Sequence, residues 1–237
     1  MHTPCTLCVL FIMHIVFIVH EYKRGNRVIV SICYQKLHTM GYSYRDISFG
    51  NMFFDPDTGD VLICDNDNVS ANGIDNSSVY GTPRFMAPEI VMGQAKPSRN
   101  TDLYSLTVLL FYMFMMGHPL EGKLEAEIKC MDIHAMNKLY GKNPIFIYDP
   151  NDKSNRPVKG YQDNVIIYWE LYPQVIRDLF IKSFEIRPPI NAASLSVYCM
   201  VIALIYDVHT TNAAIISCST RTAVPWSTAV KFSLSAN

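Results

Sequence analysis

The feature that most constrains this chain is a stretch from Tyr44 to Glu89, in which polar residues stand at set places between short apolar runs. It opens Tyr44-Arg45-Asp46-Ile47-Ser48-Phe49-Gly50-Asn51 and passes through Val61-Leu62-Ile63-Cys64-Asp65-Asn66-Asp67. It closes Gly81-Thr82-Pro83-Arg84-Phe85-Met86-Ala87-Pro88-Glu89. Met52 to Phe54 and Val61 to Cys64 read as two short strands, with Asp55-Pro56-Asp57-Thr58-Gly59-Asp60 as the turn between them. A hairpin there sets Asn51 and Asp65 at neighbouring strand ends, where both can reach one cation. Asp46 lies on the same loop as Asn51. A lone Asp and Asn at this spacing would mean little, since both are common turn residues. Three segments in fixed order are far more specific.

A loop carboxylate, an amide on the same loop and a second carboxylate behind a hairpin are groups that phosphoryl transfer needs. That chemistry rests on positioning and on neutralising phosphate charge. The pattern resembles the catalytic half of a protein kinase. By that resemblance Asp46 matches the base that accepts the substrate hydroxyl proton. Asn51 matches the magnesium-binding Asn, and Asp65 matches the magnesium-binding Asp of the D-F-G motif. Ala87-Pro88-Glu89 is the A-P-E motif unaltered. Arg45, Thr82, Glu89, Asp102 and Arg187 fall on positions tied to the catalytic loop and activation segment. Asp102 and Ser105 match a D-x-x-S pattern whose Asp binds the catalytic-loop backbone, and Arg187 matches the partner of Glu89. Thr82 favours Ser/Thr over Tyr as acceptor. ATP and Mg2+ are the implied cofactors, and a protein substrate the implied partner.

The resemblance implies a mainly α fold with a short β-hairpin, a kinase-like C-terminal lobe over 28–190. Val28 to Met40 reads as the helix leading into the loop, with Val28, Ile32, Leu37 and Met40 as a stripe and Gly41 as its stop. Asn66 to Tyr80 reads as the activation loop, where Ser70, Ser77, Ser78 and Tyr80 are candidate phosphorylation sites or plain surface residues. Thr101 to Met116 reads as a buried central helix, Lys123 to Leu139 as one helix and Tyr172 to Phe184 as another. Residues 143–173 read as a loop-like surface insertion. Asp149 to Ser154 lacks the Gly and terminal Glu of a calcium loop. Ser194 to Tyr206 suits one more helix, and the tail, 191–237, is unassigned and expected to be poorly ordered.

Residues 1–27 stand apart. Cys5 to Val19 is almost wholly apolar and is followed by Lys23, Arg24 and Arg27. It is short for a spanning helix, and both a buried segment and a membrane anchor fit it. An anchor with that basic flank would leave the rest in the cytoplasm, membrane-associated. The net charge of -1 gives no electrostatic case for nucleic acid. Cys5 and Cys8 lack a second ligand pair for zinc, so the 7 cysteines read as thiols of a reducing compartment.

The departures from the kinase pattern bear on activity. Met1 to Ser43 contain no G-x-G-x-x-G and no V-A-I-K, the elements by which a small lobe holds ATP. Lys23 has no Gly-rich loop before it. Tyr44 replaces the loop His, Ser48 a loop Lys, Asn66 the motif Phe and Asp67 the motif Gly. A Ser/Thr-type kinase domain that is slow without a small lobe, a pseudokinase-like interaction module, and a fragment of a longer kinase are the readings that follow.

Overall fold

One helix is apolar almost all round, and the main hydrophobic core is built on it. Arg99–Met115 (α3) buries Leu106, Val108, Leu109, Leu110 and Phe111 completely, so no side of its middle faces water. Ser98 starts it with a capping box: its hydroxyl accepts from Thr101 N, and Thr101 Oγ1 accepts from Ser98 N at 2.8 Å. Met116, in the left-handed conformation, ends it. The computed structural model describes residues 25–54, 61–73, 80–185, 215–219 and 230–235.

Gly25–Thr39 (α1) precedes α3 in the chain and packs on it. Gly41, at φ 89°, turns the chain out of α1, a conformation that favours glycine. The buried face of α1 runs through Val30, Cys33, Tyr34 and His38, whereas Met40 is 64% exposed. Of the expected stripe, Leu37 packs against the core and Met40 does not; Tyr34 and His38 join the buried face, Tyr34 edge-on to Tyr44 and His38 bonded to Asp102 of α3.

Tyr42–Ser43 (β1), Met52–Phe54 (β2), Val61–Ile63 (β3) and Ser70–Ala71 (β4) are short strands. β2 and β3 pair antiparallel with Met52 opposite Ile63, the hairpin read from the sequence. β1 pairs with β4. Ser70 is thus a part-buried strand residue with its hydroxyl 3.4 Å from that of Ser43, not a residue of an open loop. Ser77 and Ser78 lie outside the described residues, and Tyr80 is half exposed.

After α3 the chain departs from expectation. Lys123 to Leu139 is not one helix. It breaks into Lys123–Ala126 (α4), Ile133–Met136 (α5) and a π-helical turn over Asn137–Lys142. Asp132 is the reason: its carboxylate accepts from Ala135 N at 2.8 Å and starts a new helix mid-run. Residues 143–173 are not a loose insertion either. Asn155, fully buried, donates to Leu120 O and Ile145 O and accepts from Leu124 N, pinning the segment to the body. The segment ends in Asp163–Leu171 (α6), which Tyr172-Pro173 separates from Gln174–Glu185 (α7). α6 and α7 bring Trp169, Phe180 and Phe184 around Phe111 of α3, with Phe146 closing the ring cluster.

The tail carries two strands that its composition did not announce. Ile215–Ser219 (β5) and Val230–Ser235 (β6) pair with each other, and β6 pairs with β3, giving the order β2-β3-β6-β5. The apolar segment Cys5–Val19, the Ser194–Tyr206 stretch and Arg187 lie outside the described residues. Among those described, no helix is long and apolar enough to cross a membrane.

Candidate active site

The loop from Tyr44 to Asn51 is fastened from below by α3. Asp102, 2% exposed, accepts from Tyr44 N at 2.7 Å, Arg45 N at 3.1 Å and His38 Nε2 at 3.0 Å. One buried carboxylate thus satisfies two backbone N–H groups that no strand pairs. Arg45 is left-handed at φ 69°, which costs a residue with a Cβ about 1–2 kcal/mol. The guanidinium helps hold it there: Nε donates to Asn68 O at 2.9 Å and Nη2 to Asp67 O at 2.8 Å.

That twist presents Asp46. Its Oδ1 accepts from Thr82 N and from Thr82 Oγ1, each at 2.8 Å. Its Oδ2 accepts from Asn51 Nδ2 at 3.0 Å, and its carbonyl takes the same amide at 2.9 Å. Asn51 then leads into β2, and its carbonyl accepts from Cys64 N at 2.9 Å across the hairpin. Asp65 follows directly. It is left-handed at φ 61° and ψ 57° and opens a 3₁₀ turn over Asn66–Asn68. The Tyr44 hydroxyl donates to Cys64 O, tying the start of the loop to the residue before Asp65. Burial pushes the Tyr44 phenol well above its ordinary pKa, so it stays a donor.

The structure therefore brings Asp46, Asn51, Thr82 and, through Arg45, Asp102 into one bonded group, with Asp65 one residue past the hairpin pair. Glu89 stands apart in the first turn of Pro88–Val91 (α2) and is exposed. Ser48 is buried.

A sequence profile described as the protein kinase domain matches residues 24–187, most of the chain. The chain belongs to the protein kinase domain family. It is 32% identical over 103 residues to "Protein kinase C-like 2" of Schizosaccharomyces pombe, 42% of this chain and 10% of that protein. It is 37% identical over 98 residues to "Protein kinase C delta type" of Mus musculus, 40% of this chain and 14% of that protein. For "Protein kinase C-like 1" of Candida albicans the figures are 36% over 95 residues, 38% and 8%. The chain thus matches only about a tenth of the length of these relatives.

The kinase domain's oxygen atoms suit a magnesium nucleotide. Asn51 spends Nδ2 on Asp46, so its Oδ1 is the end left to face a cation. Asp65 is exposed, and its Oδ2 takes a bond from Asn68 Nδ2 at 3.0 Å. Amide and carboxylate oxygens are hard ligands, and magnesium commonly completes its shell with water and phosphate. Among the described residues no group of three or more His, Cys, Asp or Glu could hold a metal by itself.

Sequence reading missed a second polar cluster in this kinase domain, beside the Gly-Thr-Pro segment. Arg84 Nη2 donates to Glu121 Oε2 at 2.5 Å and to the Tyr112 hydroxyl at 2.8 Å, and the Tyr140 hydroxyl donates to Glu121 Oε1 at 2.6 Å. Tyr112 in turn packs edge-on against Phe49 of the Tyr44–Asn51 loop, ring centroids 5.3 Å apart. Its members come from segments far apart in sequence, so no local spacing reveals it. His118 completes the cluster. Its Nδ1 accepts from Leu120 N at 3.0 Å and its Nε2 meets Arg84 O at 2.8 Å, which fixes the neutral Nε2–H tautomer.

Burial holds the His118 pKa below its ordinary 6.5; Glu121 pulls it up, and Arg84 opposes that pull. Burial alone would raise Glu121; its neighbours His118, Arg84 and Tyr140 outweigh it and hold the carboxyl below its ordinary 4.5. Both folded values lie below the unfolded ones, so the unfolded chain binds protons first. The stability they contribute is present above those unfolded values and lost as pH falls through the folded ones. The melting temperature is therefore expected to fall as pH drops below about 6.5. His118→Gln should flatten the first part of that decline; an unchanged profile would refute the buried neutral imidazole.

Proposed function

We propose that residues 28–190 form the catalytic C-terminal lobe of a Ser/Thr protein kinase, which transfers phosphate from Mg-ATP to a protein hydroxyl. The observation that carries this reading is the bonded group of Asp46, Asn51 and Thr82 at the end of the hairpin that leads into Asp65. Asp46 takes the proton from the incoming hydroxyl. Its Oδ2 has one bonded donor, from Asn51, and a carboxylate oxygen has room for a second. Asn51 Oδ1 and the Asp65 carboxylate would hold magnesium, whose charge would offset that of the phosphates. Thr82 keeps Asp46 aimed, and its identity, with the protein kinase C relatives, supports Ser or Thr as acceptor. ATP as co-substrate places this lobe in the cytoplasm.

The 237 residues contain no G-x-G-x-x-G, so within this chain the nucleotide is held from one side. Losing one charge-stabilising donor commonly costs about 100- to 1,000-fold in rate. The chain alone is therefore expected to bind Mg-ATP weakly and turn over well below the rough 1–100 per second of kinases. The test is phosphate transfer to a generic Ser/Thr substrate, with Asp65→Asn as control and a small lobe added in trans. Transfer that survives Asp65→Asn would remove the proposed role of Asp65. Full kinase turnover by the chain alone would remove the one-sided reading. Asn66 and Asp67, in place of the motif's Phe and Gly, favour a second reading as a pseudokinase-like module. On that reading magnesium adds nothing to nucleotide binding.

A further inference from the structure

We propose that Asn68 is a positioning residue that holds the Asp65 carboxylate ready for a metal–nucleotide, in a turn that lacks the motif's glycine. The inference rests on the reading of Asp65 as the metal-binding carboxylate. Asp65, Asn66 and Asp67 are all polar, and none supplies apolar packing to fix the turn. Asp65 sits in the left-handed region, uncommon for a residue with a Cβ although Asp tolerates it better than most, and its neighbours help keep it there. Chief among them is Asn68.

Asn68 is 3% exposed. A buried primary amide is costly unless its hydrogens are used. Nδ2 donates to Asp65 Oδ2 at 3.0 Å, and the backbone N–H donates to Asp65 O at 3.1 Å. The Asn68 amide also bonds to the Tyr44 side chain, and its carbonyl accepts from Arg45 Nε at 2.9 Å. One residue thus grips Asp65 at side chain and backbone and ties it to the two residues before Asp46. Oδ2 is occupied by an internal donor, and Oδ1 is turned over to an external cation. An Asp without that grip would have to lose side-chain freedom on binding, which weakens binding.

The test compares ADP affinity with magnesium and with EDTA, for the full chain and for Asn68→Ala and Asn68→Leu. Affinity is read from the dependence of melting temperature on ADP concentration. Asn68→Leu fills nearly the same space and removes the donor, so it serves where the smaller side chain disturbs the fold. The ratio of the two affinities is the readout, because a purely structural defect lowers both alike. Outer partners of metal ligands are commonly worth about 10- to 100-fold in metal affinity. The ratio is expected to fall about 10-fold in both variants, with EDTA-state affinity retained. A parent ratio above one that both variants keep overturns the role of Asn68 alone. A parent in which magnesium adds nothing overturns the metal role of Asp65, and this inference with it.

Discussion

Asp102→Ala is expected to destabilise the lobe by about 3–5 kcal/mol. The carboxylate is buried and accepts from Tyr44 N, Arg45 N and His38 Nε2. Its removal strands two backbone donors, the buried Tyr44 N and the part-buried Arg45 N, and takes the Asp102 bond from His38; an orphaned donor costs about 1–3 kcal/mol. For a domain with a margin of about 5–15 kcal/mol, this removes much of the native population on warming. Asp102→Asn should cost less, because one amide oxygen can still accept, although its NH2 then faces a donor. Chemical denaturation of both variants checks the ranking. A midpoint for Asp102→Ala equal to the parent's would show that the loop is held by something else.

Asp46→Asn is expected to lower phosphate transfer about 100- to 10,000-fold, the usual worth of a positioned base. The substitution also has a structural signature. Asp46 accepts on both oxygens, from Thr82 at Oδ1 and from Asn51 at Oδ2. An Asn can accept on one side only, so its NH2 meets either the Thr82 N–H or the Asn51 NH2. Fold and nucleotide binding should survive while transfer falls. Transfer that is unchanged, with the variant folded, would remove Asp46 from the mechanism.

The Asp46–Asn51 loop and the hairpin were legible because their signals are local. Turn residues, short apolar runs and fixed spacings all lie within a few dozen residues. The central helix was legible for a different reason: Leu103 to Met115 is apolar on every side, which suits burial whatever surrounds it. Sequence reading failed where one polar residue redirects the chain. Asp132 splits a helix that charge and periodicity run together, and Asn155 converts a Pro- and Asn-rich stretch into part of the body. Asn68 looked like one more polar residue of a mobile segment, yet it is buried against Asp65. Its meaning depends on Arg45 and Tyr44, more than twenty positions away. The Arg84–Glu121–Tyr140 cluster was invisible for the same reason.

The grip of Asp102 on Tyr44 N and Arg45 N places this loop in an unusual class for hydrogen exchange. Surface loops normally trade their amide protons through small local openings that leave the core intact. These two amides are freed by drawing the Tyr44–Asn51 loop away from α3, and α3 is the centre of the apolar core. They should exchange on the schedule of the core helix and not on that of a loop. The segment that carries the candidate base is then as long-lived as the scaffold. Larger motion must then arise elsewhere in the domain, in parts with no such tether.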